Sequence, residues 1–166
     1  ADYRSTGHVK ASTVGDPVID EARPTGISAV GAMPWGTHFC HFYETKDDLV
    51  DILIPYFRAG LEANEFCLWI VFDPIGEEEA VQMLYRGIPE AAKYLEFGAI
   101  EVIPHSQWYL REGTLDLNRA IRRVQEKLTV ALDNGYVGLR VNGNEAWLTG
   151  QEWHAFSDYE HKLNQM

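Results

Sequence analysis

From Thr37 onward the hydrophobic and polar positions fall into two alternating patterns. Short, nearly continuous apolar runs predict strands, and stretches with apolar residues three or four positions apart predict amphipathic helices. HFCHFYE, residues 38 to 44, reads as the first strand. Thr45-Lys46-Asp47-Asp48 then has the form of a capping box, in which side chains satisfy the free N–H groups of a first helical turn. The helix it opens carries Leu49, Leu53, Tyr56, Phe57 and Leu61 on one face, with a kink expected at Pro55. FCLWIVFD, 66 to 73, is apolar almost throughout and predicts a strand covered on both faces. EEEAVQMLYR, 77 to 86, predicts a short helix, and a second runs between Pro89 and Gly98.

AIEVIP, 99 to 104, predicts a third strand. Asp116 opens a long helix bearing Leu117, Ala120, Ile121, Val124, Leu128 and Ala131, and Asn134-Gly135 stops it. YVGLRVN, 136 to 142, predicts a fourth strand. Thr149-Gly150-Gln151-Glu152 is a second capping box, ahead of a helix with Trp153, Phe156 and Leu163 at helical spacing. Residues 1 to about 33 are rich in Gly, Ser, Thr, Pro and Ala without periodicity. They are expected to be a flexible leader, with room for a short strand near Val18 and Ile19, ahead of one domain over 34–166.

Strands separated by helices imply an α/β fold, a three-layer sandwich with a mostly parallel central sheet and helices on both faces. Ligands of such folds bind beyond the carboxyl ends of the strands. Those ends carry Tyr43-Glu44, Asp73-Pro74, His105 to Tyr109 and Asn142 to Glu145. The polar and aromatic residues that need a reason therefore gather at one edge of the expected sheet.

Charge narrows the partners. With 25 acidic and 14 basic residues the formal charge is −11, which repels nucleic-acid phosphates and anionic membranes. No apolar run approaches the ~20 residues needed to span a bilayer, and the N-terminus lacks a signal-peptide pattern. The two cysteines, Cys40 and Cys67, lie in apolar runs, which suggests buried thiols in a reducing, cytoplasmic setting. Arg119, Arg122, Arg123 and Lys127 form a stripe along the long helix, read as a solvated face.

Four chemistries compete for the strand ends. A phosphate loop needs glycines and a lysine between the first strand and helix. That junction reads YETKDD, with no glycine and three carboxylates, so ATPase chemistry is rejected. A metal or haem could use His38 and Cys40, which share one face of the expected strand, although no C-x-x-C or H-E-x-x-H is present. Cys40 with a histidine could act as a nucleophile, but a thiol in so apolar a run is more often inert, and no enzyme is expected. The fourth is a small-molecule pocket with aromatic walls and a few fixed polar groups. Its expected lining is His38, Cys40, Tyr43, Glu44, His105, Trp108, Tyr109, Arg140, Asn142, Glu145 and Trp147.

The segment His38-Phe39-Cys40-His41-Phe42-Tyr43 carries a resemblance to a known family. So do Leu61 to Cys67, Ile103 to Leu110, Asn134 to Asn144 and Phe156-Ser157-Asp158-Tyr159-Glu160. Over about residues 35 to 164 the chain resembles the MEDS domain, the sensory domain of methanogens and methylotrophs. The resemblance implies a fold like that of the RecA and KaiC ATPases with the nucleotide loop lost. It implies a signal-input role upstream of a histidine kinase or DNA-binding output domain, with small hydrocarbon derivatives as ligands. Within the motif, His38, Cys40 and Tyr43 match the family signature. The sequence breaks off at HKLNQM inside a helical pattern, as expected of a domain whose last helix runs on into an output domain. A ligand-free docking module and a homodimer are both compatible with the same sequence.

Overall fold

The computed structural model describes residues 22–150, 152–163 and 165. The strand expected near Val18 and Ile19 lies outside the described residues. The described end of the expected leader forms a hairpin: β1 (Ala22–Pro24) pairs antiparallel with β2 (Ala32–Pro34). Gly26, at φ +78°, lies against the body of the domain. A Cβ there would sit 2.1 Å from the carbonyl oxygen of Pro55, so only glycine allows this approach.

The first helix, α1 (Lys46–Glu62), starts where the sequence placed it. The Thr45 hydroxyl accepts from the Asp48 N–H at 3.2 Å, and the Asp48 carboxylate accepts from the Thr45 N–H at 2.8 Å. The stretch before it is a correction. Residues 38–43 join no sheet, and Phe42 is 92% exposed instead of buried. An apolar run becomes a strand only where it pairs with another backbone; here the central strand takes both its neighbours from other segments, and His38 instead contacts Glu160 in the last helix.

That central strand is β3 (Phe66–Val71). It is followed by α2 (Glu77–Gly87), α3 (Ala91–Glu96) and β4 (Ile100–Pro104). Next come α4 (His105–Tyr109) and a small ladder of β5 (Leu110–Arg111) with β6 (Thr114–Leu115). The chain closes with α5 (Leu117–Asp133), β7 (Leu139–Gly143) and α6 (Trp153–Leu163). Asp116 caps α5, and Gly135, at φ +86°, follows its end. The main sheet is parallel with order β4-β3-β7, three strands instead of the four expected.

Alternation along β3 divides the core in two. Cys67, Trp69 and Val71 face Leu49, Leu53 and Phe57 of α1 and Ala80 and Leu84 of α2. Leu68 and Ile70 face Trp108 and Tyr109 of α4, Ala120 of α5, and Phe156 and Tyr159 of α6. A mixed α/β domain with a parallel sheet is therefore present, with helices packed on each face.

The basic stripe on α5 is not simply solvated. Arg119 donates to the Leu110 carbonyl at 3.0 Å and Arg123 to the Gln107 carbonyl at 2.6 Å. Lys127 pairs with Glu101 on β4. These side chains reach back because their long stems bring the charge to carbonyls and a carboxylate at the sheet edge. Arg122 alone of the four is exposed.

Candidate functional site

Three segments from distant parts of the chain converge beside the carboxyl end of the sheet. The first is α4, which begins at the end of β4 and presents Trp108 and Tyr109, 0% and 3% exposed. The second is the loop after β7, with Asn144, Glu145 and Trp147. The third is α6, whose Phe156, Tyr159 and Glu160 share one helical face by their spacing.

The aromatic rings pack as one group. Tyr109 lies 5.2 Å from Trp147, 6.0 Å from Phe156 and 6.0 Å from Tyr159, centroid to centroid. Trp147 also tilts over His105 at 5.6 Å, and His105 meets the edge of Phe72 at 4.4 Å. Gly143 makes room for this arrangement, because a Cβ there would stand 2.7 Å from the Tyr109 hydroxyl. Such ring pairs contribute about 0.5–1.5 kcal/mol each beyond their buried area.

A polar group borders the rings. His38 Nε2 contacts Glu160 Oε2 at 2.8 Å, tying the 38–43 segment to α6. The Glu145 carboxyl donates its proton to Glu160. Burial, then the charge of Glu160, pushes Glu145 up to about 7. Burial likewise pushes Glu160 up to about 7. Near neutral pH the two therefore share a proton. Cys40 is exposed, and its thiol is raised by desolvation and then by these two carboxylates. That shift opposes thiolate formation and so opposes nucleophilic use. Burial holds Tyr109 well above its ordinary value and pushes Tyr159 up to about 12, so both keep their hydroxyl protons.

Two donors in this region lack acceptors. The indole N–H groups of Trp108 and Trp147 are buried with no hydrogen-bond partner. The approach of Trp108 to the Tyr159 hydroxyl falls short of hydrogen-bond geometry. A buried unpaired donor costs about 1–3 kcal/mol and calls for a reason.

The expected lining is only partly assembled. His38, Cys40, His105, Trp108, Tyr109, Glu145 and Trp147 come together. Tyr43 joins at the margin, where its hydroxyl accepts from Asn144 Nδ2 at 3.0 Å. Glu44 is exposed ahead of α1 and stands apart. Arg140 and Asn142 are in register with Cys67 and Trp69 on β3, which places them on the sheet face toward α1. All five guanidinium N–H groups of Arg140 are taken: two by Glu65 and one each by the carbonyls of Pro24, Thr25 and Tyr56. Glu160, Tyr159 and Asn144 were not anticipated as site residues. The Phe156, Tyr159, Glu160 spacing was the available signal, since it predicts one shared face.

The family model of the MEDS domain, described as the methanogen/methylotroph, DcmR sensory domain, matches residues 37–166. The chain belongs to the MEDS family. No curated protein and no solved structure matches it. The matched span takes in every segment of the convergent site, from His38 to α6, and omits the β1–β2 hairpin. MEDS is a sensory domain family, so a signal-input role follows for this domain. Among the described residues of this MEDS domain, no three His, Cys, Asp or Glu side chains are grouped to hold a metal ion. No described helix is long and apolar enough to cross a membrane.

Proposed function

We propose that this MEDS domain is a non-catalytic, cytoplasmic input module for a small organic, hydrocarbon-derived ligand. The ligand binds where residues 38–43, the 144–147 loop and α6 meet, without metal or haem. Binding is relayed through α6 to a histidine kinase or DNA-binding output domain, in the same or another chain.

The observation that carries this reading is the contact of His38 with Glu160. It links the family signature to the last helix, so a molecule that separates the two changes how α6 packs. The orphan indole N–H groups add a requirement: the ligand is apolar with one hydrogen-bond acceptor. To drive a nearly complete switch it must bind one packing of α6 about 10⁴-fold better than the other.

This reading takes the fold as RecA-like with its nucleotide position lost. A phosphate would sit at the α1 N-terminus. There Asp48 already satisfies the Thr45 N–H, and Asp47 adds a second negative charge.

Indole N–H resonances test the proposal, because the chain has five tryptophans. A panel of small alcohols, ketones and halocarbons is titrated, with native mass spectrometry reporting any organic or metal adduct. Binding is expected to shift the Trp108 and Trp147 indoles and the α6 amides, and to leave Trp69 unmoved. Saturable binding that spares α6, or an adduct of metal or porphyrin in place of an organic molecule, rejects the proposal.

A further inference from the structure

A surface pocket of about 470 Å³ lies between α4, the β5–β6 turn and α5, lined by Gln107, Leu110, Arg111, Glu112, Arg119 and Arg123. In a chain of net charge −11, three arginines against one glutamate is a local reversal of sign. Arg119 and Arg123, one helical turn apart, lie on the same side of α5.

Both guanidinium groups are held in place by the backbone. Arg119 Nη1 donates to Leu110 at 3.0 Å and Arg123 Nη1 to Gln107 at 2.6 Å. Arg123 also lies over the Trp108 ring at 4.2 Å. Each guanidinium has five donors, so these bonds orient the groups and leave further donors for another molecule. Among the described residues, none of Arg111, Arg119 and Arg123 has a carboxylate within ion-pair distance. Burial, then the neighbouring charge of Arg119, lowers Arg123 from its ordinary value, with Glu101 and Glu126 opposing. A clamping role accounts for the two carbonyl bonds. It does not account for Arg111 or for the convergence of all three on one cavity.

We infer that this pocket binds a small oxyanion, a phosphate or a carboxylate, held by Arg111, Arg119 and Arg123. Planar guanidinium forks match both groups, and charge-assisted bonds are about twice as strong as neutral ones. The acidic surface opposes an anion at long range, but at 0.15 M salt its field decays over about 8 Å. The pocket shares Trp108 with the aromatic site through Arg123, yet its occupancy is measured independently of the sensory ligand.

Inorganic phosphate and succinate are titrated separately into the full chain at constant ionic strength, with amide and arginine Nε–H shifts as the readout. Saturable shifts at Gln107, Arg111, Arg119 and Arg123 are expected with at least one anion. Response to phosphate alone assigns a phosphoryl group, and response to succinate alone assigns a carboxylate. Arg111→Gln removes an exposed side chain with no packing role and is expected to weaken binding about tenfold. Arg119→Gln serves as the second variant. No saturable shift with either anion, or equal affinity in Arg111→Gln, overturns the inference.

Discussion

His38 Nε2 lies 2.8 Å from Glu160 Oε2, so the opening motif of the domain and its last helix touch. The two side chains are 29% and 22% exposed, which limits the worth of the pair to about 1 kcal/mol. Its importance is positional. His38→Ala and Glu160→Gln are each expected to speed hydrogen exchange of the α6 amides a few-fold, with β3 unchanged. The double variant should be no worse than the poorer single, because both remove the same contact. Additive effects on exchange would show that the residues act separately.

The paired carboxyls give α6 docking a pH dependence. Glu145 and Glu160 are raised from 4.5 to about 7, so the folded state binds their protons more tightly than the unfolded state. Their contribution is therefore complete below about pH 4.5 and is lost as pH rises through about 7. Cys40, Tyr109 and Tyr159 also face the pair and stay neutral across this window. Both carboxyls are partly exposed to solvent, which screens them, so the loss between pH 5 and 8 is on the order of 1–2 kcal/mol. Glu145→Gln keeps a donor to Glu160 and removes the repulsion. Melting temperatures across pH 5–8 should fall in the wild type and stay flatter in the variant. Parallel curves would refute the shared proton.

Phe156 and Trp153 are both aromatic residues of α6, but only one is buried. Phe156 is 1% exposed, against Tyr109, Trp147 and Tyr159, whereas Trp153 is 52% exposed. Phe156→Ala should destabilise by about 3–5 kcal/mol, and Trp153→Ala by no more than about 0.5 kcal/mol. Urea unfolding midpoints check both, and comparable losses would mean that α6 docks by a different face.

Arg140 and Glu65, 6% and 1% exposed, are a buried pair held by two bonds of 2.6 and 3.0 Å. Burial works against the arginine charge, but the Glu65 bonds and charge outweigh it and hold Arg140 above its ordinary value. Arg140→Met leaves the buried Glu65 with only the longer 3.5 Å contact to Arg23 and should cost about 3 kcal/mol, while Arg140→Met with Glu65→Met should recover most of it. Arg140 also bonds to the carbonyls of Pro24 and Thr25, so the single variant should expose 22–36 to limited proteolysis. An uncut hairpin would show that it is anchored elsewhere.

Local chemistry determined much of this protein. Thr45 with Asp48, Asp116, and Asn134-Gly135 mark helix ends because caps act within one turn. The apolar run 66–73 predicted a strand covered on both faces, found over Phe66–Val71, and the signature around His38 pointed to the MEDS family. The tertiary structure decided what no local signal carries. HFCHFY looks like a strand, yet the central strand is flanked by β4 and β7 and the segment turns to α6 instead. Arg140 and Glu145 lie five residues apart, but Arg140 falls near the amino end of β7 and faces α1, while the loop past the carboxyl end carries Glu145 to Glu160. Alternation along a strand fixes which residues share a face, and only packing against distant helices fixes which face each helix covers.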